Sequence, residues 1–412
     1  MRISPILSAL LRNKTGAVLV AVQVALSLAI LANALHIVNV RQAVAARPSG
    51  IADESSVFYT TSRYLVAKES PEYDLAVQRR EVQVLRAISG VASVAYVTQM
   101  PMSDSGNNNS LSIDRKQVNA SADGAVYRTA ESLIDTLQLK LVEGRDFTPA
   151  DVLEIDSTLS DEFPKTTIIT KPLADKLWPN QSAIGKTLYY GTGEDGEATQ
   201  VIGVVERLQS PWAQVDEEGE FSTMLPDRRL GGQIRNTYVV RTEPGQRDRV
   251  LKEAEAALIK SAGVPVIIKS RTTFEDRTER YRADIAMSWM LVTVSVLLLV
   301  ITASGIVGMA SLWVTQRRKQ IGVRRALGAR RVDILRYFIA ENVMITTLGV
   351  VCGVLLAIGL NQLLVSKLEM ARLPLVYLFS GVSVFYALGI IAVYGPAWRA
   401  ASTSPALATR SA

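Results

Sequence analysis

Four long apolar runs constrain this chain more than any other feature of its sequence. They lie at 16–38, 285–314, 343–365 and 373–398, and none of them contains Asp, Glu, Lys or Arg. About 20 apolar residues are enough for a helix to cross a bilayer, so each run predicts a transmembrane helix. The run at 285–314 would be about 45 Å long as a helix, whereas the hydrocarbon core is about 30 Å thick. We therefore expect this helix to tilt or to continue as a stalk.

The first run also has features of a secretory signal. Arg2, Arg12 and Lys14 precede it, and Ala43-Val44-Ala45 resembles a cleavage site. Against cleavage, Arg41 intervenes, and 23 apolar residues exceed the about 7–15 residues of a signal core. The sequence thus favours an uncleaved anchor.

The positions of Lys and Arg predict the topology, because cations are enriched in cytoplasmic loops. Residues 1–15 hold three cations without an acid, and 315–341 hold eight, whereas 41–284 hold 30 cations and 36 acids. We expect cytoplasmic segments at 1–15, 315–341 and 399–412. We expect the spans at 16–38, 285–314, 342–365 and 373–398, and the outer segments at 39–284 and 366–372. The chain's net charge of +6 then reflects membrane topology, and it does not indicate a nucleic-acid partner.

The outer segment has the pattern of an α+β domain. Two β-α-β units, about 135 residues apart, are predicted from strands at 56–62, 91–100, 236–242 and 264–270 and helices at 71–90 and 245–263. Such a pair predicts a split ferredoxin-like subdomain, formed by 41–100 and 236–284. Residues 101–235 form its insertion, where the runs TTIIT, KTLYYG and TQVIGVVERL predict further strands. The predicted fold class is therefore a membrane protein with four transmembrane helices and an α+β extracytoplasmic domain.

Catalytic and metal chemistry finds little support in the sequence. The single histidine, His36, is expected at the membrane interface, and the single cysteine, Cys352, is expected as a small packing residue. The turn AIGKTL at 183–188 resembles half of a phosphate-binding loop, but Asn180 stands where that loop needs glycine. The acidic run DEEGE at 216–220 lacks the spacing of a calcium loop. We expect neither an enzyme nor a cofactor or metal site in this chain.

Polar residues inside the spans are few. Gln23, Asn33, Asn361 and Gln362 are expected to bridge neighbouring helices, although they are also compatible with a pathway lining. The absence of charged residues from the runs argues against a proton relay. A small-residue stripe in the third run predicts a close helix contact, and its members are Gly349, Gly353 and Ala357.

The basic segment between the second and third spans requires a separate explanation. Its eight cations fix topology, and they also favour anionic lipid at about 1 kcal/mol each. Neither role explains the order IGVRRALG, which predicts a short helix between breaks at Gly322 and Gly328. Such a helix would present Ile321, Arg324 and Arg325 together. This arrangement favours docking into a groove of another protein.

At this point the sequence resembles a known family. QRRKQIGVRRALGARRVDIL is similar to the signature R-x-x-E-I-G-I-R-[KR]-A-L-G-A of MacB/FtsX-type (type VII) ABC transporter permeases. The tail GPAWRAASTSPALATR resembles the family ending. In the outer segment, LVEGRDFTPAD and LADKLWPNQSAIGKTLYY resemble the stretches GR-x-F-x-x-x-D and LFP…PIGK of MacB-like periplasmic domains.

The resemblance implies a role for the basic segment, a helix that couples the permease to an ATP-hydrolysing subunit. The residues implied in this contact are Gln320, Ile321, Gly322, Val323, Arg324, Arg325, Ala326, Leu327, Gly328 and Ala329. Gln320 departs from the family's usual Glu, so an ion pair made there would be lost or replaced. Because no ATPase domain precedes the first span, the ATPase and its Mg-ATP are expected on another polypeptide.

The resemblance also implies further partners and an inner-membrane location. A second permease copy or a paralogue is expected, together with membrane lipid and, in some systems of this kind, a periplasmic adaptor. The implied function is mechanotransmission for export of an antibiotic, a peptide or another periplasmic substrate. Release of lipoproteins and a non-transport receptor or scaffold remain alternatives. Control of a cell-wall hydrolase fits less well, because chains with that role are short.

Overall fold

The computed structural model describes residues 14–66, 70–156, 160–212, 217–230, 235–368 and 372–402. The chain divides into two compact units. The membrane unit comprises Met1–Gln42 and Asp284–Ala412, and the outer domain comprises Ala43–Ala283.

The helices of the described residues are few and mostly long. In chain order they are α1 (Lys14–Ala45), α2 (Pro71–Arg86), α3 (Leu133–Leu137), α4 (Lys171–Leu177), α5 (Arg247–Ala262), α6 (Thr273–Gln316), α7 (Arg318–Ala326), α8 (Arg331–Leu368) and α9 (Leu375–Ser402).

The strands all belong to the outer domain. They are β1 (Val57–Tyr64), β2 (Val91–Tyr96), β3 (Asn108–Ser112), β4 (Ala122–Arg128), β5 (Leu141–Gly144), β6 (Leu153–Asp156), β7 (Thr166–Thr170), β8 (Thr187–Tyr190), β9 (Glu197–Val205), β10 (Ser222–Leu225), β11 (Asp227–Leu230), β12 (Arg235–Thr242) and β13 (Val266–Thr272).

The membrane unit contains four helices that are long and apolar enough to cross a bilayer, namely α1, α6, α8 and α9. In the most apolar window of α1, 61% of the residues are buried, against 17% in that of α6. Helix α1 is therefore the inner helix of the unit, whereas α6 leaves most of its apolar surface uncovered. The predicted four-span architecture is confirmed.

Helix α6 is longer than its apolar run. It has 44 residues and begins 12 positions before residue 285. At about 1.5 Å per residue it is about 66 Å long, roughly twice the thickness of a hydrocarbon core. Its first turns are charged, so the span and its stalk are one continuous helix.

The first subdomain of the outer domain has the predicted ferredoxin-like topology. Its four strands are antiparallel and lie in the order β13-β1-β12-β2. Helices α2 and α5 cover one face, where Phe58 packs with Val82, Leu85 and Val250. Alternate residues of β1 therefore face these helices, and the intervening ones face the other way.

The insertion forms a second sheet of seven strands in the order β5-β9-β7-β10-β4-β3-β8. This sheet closes on itself, because β8 pairs with both β3 and β9. Strands β6 and β11 form a separate parallel pair. The three strand runs expected in this region correspond to β7, β8 and β9.

One expectation about a single residue was wrong, and a second one is not tested. Cys352 is exposed on the surface of α8 and does not pack between helices. His36 is buried, at 6% exposure, with its ring centroid 5.2 Å from that of Tyr377 in α9. Its position at the membrane interface stays a prediction.

Other expectations fall partly or wholly outside the described residues. The turn AIGKTL leads into β8 with Gly185 at a φ of +79°. The described part of DEEGE, Glu217–Glu220, forms a turn of 3-10 helix, but Asp216 lies outside the described residues. The same holds for residues 1–13 and for the family-like ending after residue 402.

Candidate coupling site

The family-like basic segment forms a short helix, α7, set off by a break at each end. Only Arg317 separates it from α6. At its other end Leu327 N donates to the Val323 carbonyl at 3.0 Å, and Gly328 takes a φ of +99°, which favours glycine. The expected break at Gly322 was wrong, because this residue lies inside the helix.

An ion pair joins the start of α7 to the third span. Arg317 Nη1 donates to Glu341 Oε2 at 2.7 Å, and the Arg317 guanidinium lies 6.0 Å from the Trp313 ring centroid. The Glu341 side chain is 1% exposed and that of Arg317 is 17% exposed. Because α8 already begins at Arg331, Glu341 belongs to a membrane helix and not to a loop.

The inner face of α7 is fixed to the helix bundle. Ile321 is buried in the core of the membrane unit together with Ile334 and Phe338 of α8. Arg325 Nη1 donates to the carbonyl of Ala401 in α9. Ile321 and the buried Gly322 were expected at the ATPase contact, but in this structure they are not accessible to a partner, since the apolar face of this amphipathic helix packs on its own chain.

The outer face of α7 presents apolar side chains to the surroundings. Val323 is 51% exposed and Leu327 is 83% exposed. Gln320, Arg324, Ala326 and Gly328 are also exposed, whereas Arg325 and Ala329 are half-buried. We call the exposed pair Val323 and Leu327 the coupling knob.

Exposed cations lie on both sides of the coupling knob in the chain. The Arg324 guanidinium lies 5.1 Å from the centroid of the Tyr337 ring, which holds it beside the helix. Further exposed cations nearby in the chain are Arg318, Lys319, Arg330, Arg331 and Arg336. Asp333 Oδ2 accepts the Arg330 backbone N–H at 3.0 Å and so caps the start of α8. An apolar knob with a cationic rim suits a groove that is apolar inside and acidic at its edge.

Sequence reasoning did not identify the two contacts that anchor α7. Arg317 and Glu341 are 24 residues apart, and Arg325 and Ala401 are 76 apart. One sequence feature could have indicated the ion pair: Glu341 is an acid among many cations, at the beginning of an apolar run.

The small-residue stripe of α8 lies against α1. A Cβ added to Gly349 would be 2.7 Å from the Ala21 carbonyl oxygen, and one added to Gly353 would be 3.0 Å from the Ala25 Cα. Ala357 is fully buried, and its carbonyl accepts a hydrogen bond from Asn33 Nδ2 at 3.1 Å. The backbones of the two helices thus approach closely along the whole stripe.

The residues of the coupling site include no nucleophile–base pair. Across the described part of the chain, no group of three or more His, Cys, Asp or Glu side chains is arranged to hold a metal ion. What the arrangement offers is an exposed apolar and cationic surface on a helix that is fixed to its own chain.

Comparison with models of protein families gives two matches. The FtsX-like permease C-terminal family matches residues 292–405, which include the coupling site. The MacB-like periplasmic core domain matches residues 23–257, more than half of the chain.

Individual relatives match the same regions. Macrolide export ATP-binding/permease protein MacB 2 of Yersinia pestis bv. Antiqua (strain Antiqua) is 27% identical over 312 residues, covering 72% of this chain and 43% of the relative. MacB of Sodalis glossinidius (strain morsitans) is 30% identical over 306 residues, covering 70% and 43%. The chain thus matches less than half the length of these relatives.

Among solved structures, the periplasmic region of MacB from Actinobacillus actinomycetemcomitans is similar to this chain. It is 16% identical, covers 55% of this chain and 92% of that one, and has a TM-score of 0.35.

Proposed function

The chain belongs to the MacB/FtsX-like (type VII) ABC transporter permease family, and from this premise we propose that it is a mechanical transmitter. In this proposal an ATP-hydrolysing partner grips the coupling knob, and its motion passes through the membrane helices to the outer domain. The observation that carries the proposal is the mounting of α7. Its outer face is exposed and apolar, and its inner face is fixed to the bundle by Ile321, Arg325 and Arg317.

This mounting determines how a push on α7 would act. A flexible loop would absorb a displacement. In contrast, the Arg317–Glu341 ion pair holds the start of α7 to α8, and the Arg325–Ala401 hydrogen bond holds α7 to α9. A force on the coupling knob is therefore shared by α7, α8 and α9. Helix α6, continuous from Thr273 to Gln316, supplies the rod that carries the motion out of the membrane.

The proposed partner supplies the ATP chemistry. The relatives named above are ATP-binding/permease proteins, and this chain matches 43% of their length. We assign Mg-ATP binding and hydrolysis to an ABC ATPase partner, which lies outside the residues described above. Gln320, where the family usually has Glu, is exposed at the edge of the knob, so it contributes a hydrogen bond to the partner in place of an ion pair.

The remaining parts of the proposal concern assembly, orientation and cargo. The uncovered apolar surface of α6 suits a second permease chain, identical or paralogous, and the surrounding lipid. The coupling knob and both termini face the cytoplasm of an inner membrane, with the outer domain in the periplasm. The cargo is an antibiotic, a peptide or another periplasmic substrate, which the outer domain displaces with or without an adaptor protein.

Site-specific photocrosslinking tests the partner. A benzophenone amino acid replaces Leu327, which is 83% exposed, and in a control variant it replaces Val118, which is 84% exposed in the outer domain. Mass spectrometry of the adducts formed in native cells should identify an ABC ATPase at position 327 and not at position 118. Adducts with lipid alone at position 327 would support a receptor or scaffold role and refute coupling.

Cysteine labelling tests the orientation. Because Cys352 is the only cysteine, replacing it with alanine gives a background without thiols. In intact cells, a membrane-impermeant maleimide should label Val118→Cys but not Leu327→Cys. Labelling of Leu327→Cys from outside would show that the coupling knob faces outward, and the proposed coupling role would then be wrong.

A further inference from the structure

One face of the ferredoxin-like sheet is not covered by its helices. On β1, Phe58 and Tyr64 pack toward α2 and α5, so Tyr59, Thr61 and Arg63 face the other way. The register places their neighbours on β12 and β13 on the same open face. These neighbours are Arg235, Thr237, Ile267, Lys269 and Arg271.

This open face forms the floor of a cavity of about 560 Å³ within the outer domain. The segment 98–105 and the first turns of α6 line its sides. We call this cavity the outer cleft. Small-molecule sites typically have volumes of about 300–1,000 Å³, so the outer cleft is the right size for one compact organic ligand.

Three cations meet at one end of the outer cleft. Arg63 on β1 lies directly opposite Arg235 on β12. Lys269 on β13 lies opposite Thr61, which is two residues before Arg63 on β1 and faces the outer cleft as well. All three side chains are exposed. Like charges placed directly opposite each other on adjacent strands destabilise a sheet. Within the described ranges, none of the three cations lies within salt-bridge distance of a carboxylate. Lys269 interacts electrostatically with Glu279, whereas no ion pair offsets the repulsion between Arg63 and Arg235.

The other charges of the outer cleft form ion pairs with one another. Arg271 bonds Asp276 at 2.7 Å and also pairs with Glu279, while Arg280 bonds Asp104 at 2.9 Å. The lining therefore contains five cations and three acids, a surplus of two positive charges. Arg271 pairs with two carboxylates, so its cluster carries one negative charge, which interacts with Lys269. The surplus of two therefore lies at Arg63 and Arg235, and it favours binding of an anion.

The lining also offers apolar contact. Ile267 is 50% exposed beside the cations. Met100 and Met102 also belong to the lining, but they are 2% and 1% exposed, so the apolar contact comes from Ile267. A ligand that satisfies both features has a charged head and an apolar body.

We propose that the outer cleft binds an amphiphilic small-molecule anion, with its phosphate or carboxylate held among Arg63, Arg235 and Lys269. The apolar part of the ligand lies against Ile267. The site is independent of the coupling knob, since it needs neither an ATPase nor a second chain.

Calorimetry on the full chain tests this site. The protein is placed in nanodiscs of neutral phosphatidylcholine, with empty nanodiscs as the blank, and titrated with 1-naphthyl phosphate and with 1-naphthoate. We expect saturable binding of one molecule per chain, weakened by added salt because the contact is ionic. Binding of either anion supports the proposal, and the tighter of the two identifies the preferred head group.

The variants Arg63→Gln and Arg235→Gln should each weaken binding at least about tenfold, the loss expected for one charge-assisted contact. Lys252→Gln is the matched control, because Lys252 is exposed on α5, which covers the opposite face of the sheet. Removing one of two opposed arginines relieves their repulsion. We therefore expect both variants to keep or raise the midpoint of thermal unfolding, which separates lost binding from lost folding.

Three results would overturn the proposal. They are unchanged affinity in both arginine variants, equal binding of the uncharged 1-naphthalenemethanol, and binding of hexaglutamate without binding of either naphthyl anion. The last result would make the cleft a peptide site. Because no ATPase is present in the titration, its failure leaves the crosslinking test of the coupling knob unaffected.

Discussion

Arg317 donates a 2.7 Å hydrogen bond to Glu341, and this contact connects the only residue between α6 and α7 to a buried carboxylate of α8. The junction that would receive a push from a partner is thereby tied to the third span. A buried ion pair of this kind is costly to break from one side, because the remaining charge loses its partner.

The first prediction concerns this ion pair. Glu341→Gln should destabilise the membrane unit by about 2 kcal/mol, less than for a fully buried pair because Arg317 is 17% exposed. Thermal unfolding in detergent measures the loss. The crosslink at position 327 should persist, while stimulation of the ATPase by the permease falls.

Asp195→Asn is the control for that variant, because it removes an exposed carboxylate of the outer domain. The double variant Arg317→Gln/Glu341→Gln should lose less stability than the sum of the single variants. Strict additivity would show that the two side chains do not act as a pair.

The second prediction concerns the coupling knob. Leu327→Asp should leave insertion and stability unchanged, since the leucine is 83% exposed. It should weaken ATPase association at least about tenfold, because a charge then enters an apolar groove. Co-purification with the ATPase measures the effect, with Val118→Asp as the control. Unchanged association would place the contact elsewhere.

The third prediction concerns the stripe on α8. Gly353→Leu should destabilise the membrane unit by about 1–3 kcal/mol, because the new side chain meets the α1 backbone at Ala25 and that backbone cannot move aside. Gly359→Leu is the control, since nothing lies within 4 Å of a Cβ added there. Equal unfolding midpoints for the two variants would contradict this packing.

The fourth prediction concerns the family-like stretch EGRDFTPAD of the outer domain. Arg145 bonds both Asp151 carboxylate oxygens, at 2.8 and 3.1 Å, and the Thr148 N–H donates to Asp151 Oδ2 at 2.8 Å. The Arg145 hydrogen bond holds the pKa of Asp151 below its usual value. Arg145 and Asp151 therefore hold this turn together, and their role is structural.

A lowered pKa in the folded state means that ionised Asp151 stabilises the fold above about pH 4, and that this contribution fades as the pH falls below that value. Asp151→Asn should thus cost about 1 kcal/mol at pH 7, a modest loss because Arg145 is half exposed. The difference from the unsubstituted protein should shrink in acid. Unfolding midpoints measured between pH 7 and pH 3 test this, with the exposed Asp195→Asn as control; a gap that grows in acid would contradict it.

Local pattern was enough to predict much of the fold. The uncharged runs defined four spans, since each apolar run long enough to cross a bilayer is visible in a single stretch of chain. The alternation of strand and helix likewise predicted the β-α-β units, and their topology followed from the few ways in which such units pair. The coupling helix was located by its residue order and by its family resemblance.

Contacts between distant segments could not be obtained in this way. The sequence by itself determined that α7 is an amphipathic cationic helix, but only the tertiary structure decided that Ile321 faces inward and Leu327 outward. In the same way, Arg63 and Arg235 are 172 residues apart, and only strand register places them opposite each other. The physical reason is that helical and strand periodicity depend on neighbours a few residues away, whereas burial and pairing depend on which remote surfaces pack together.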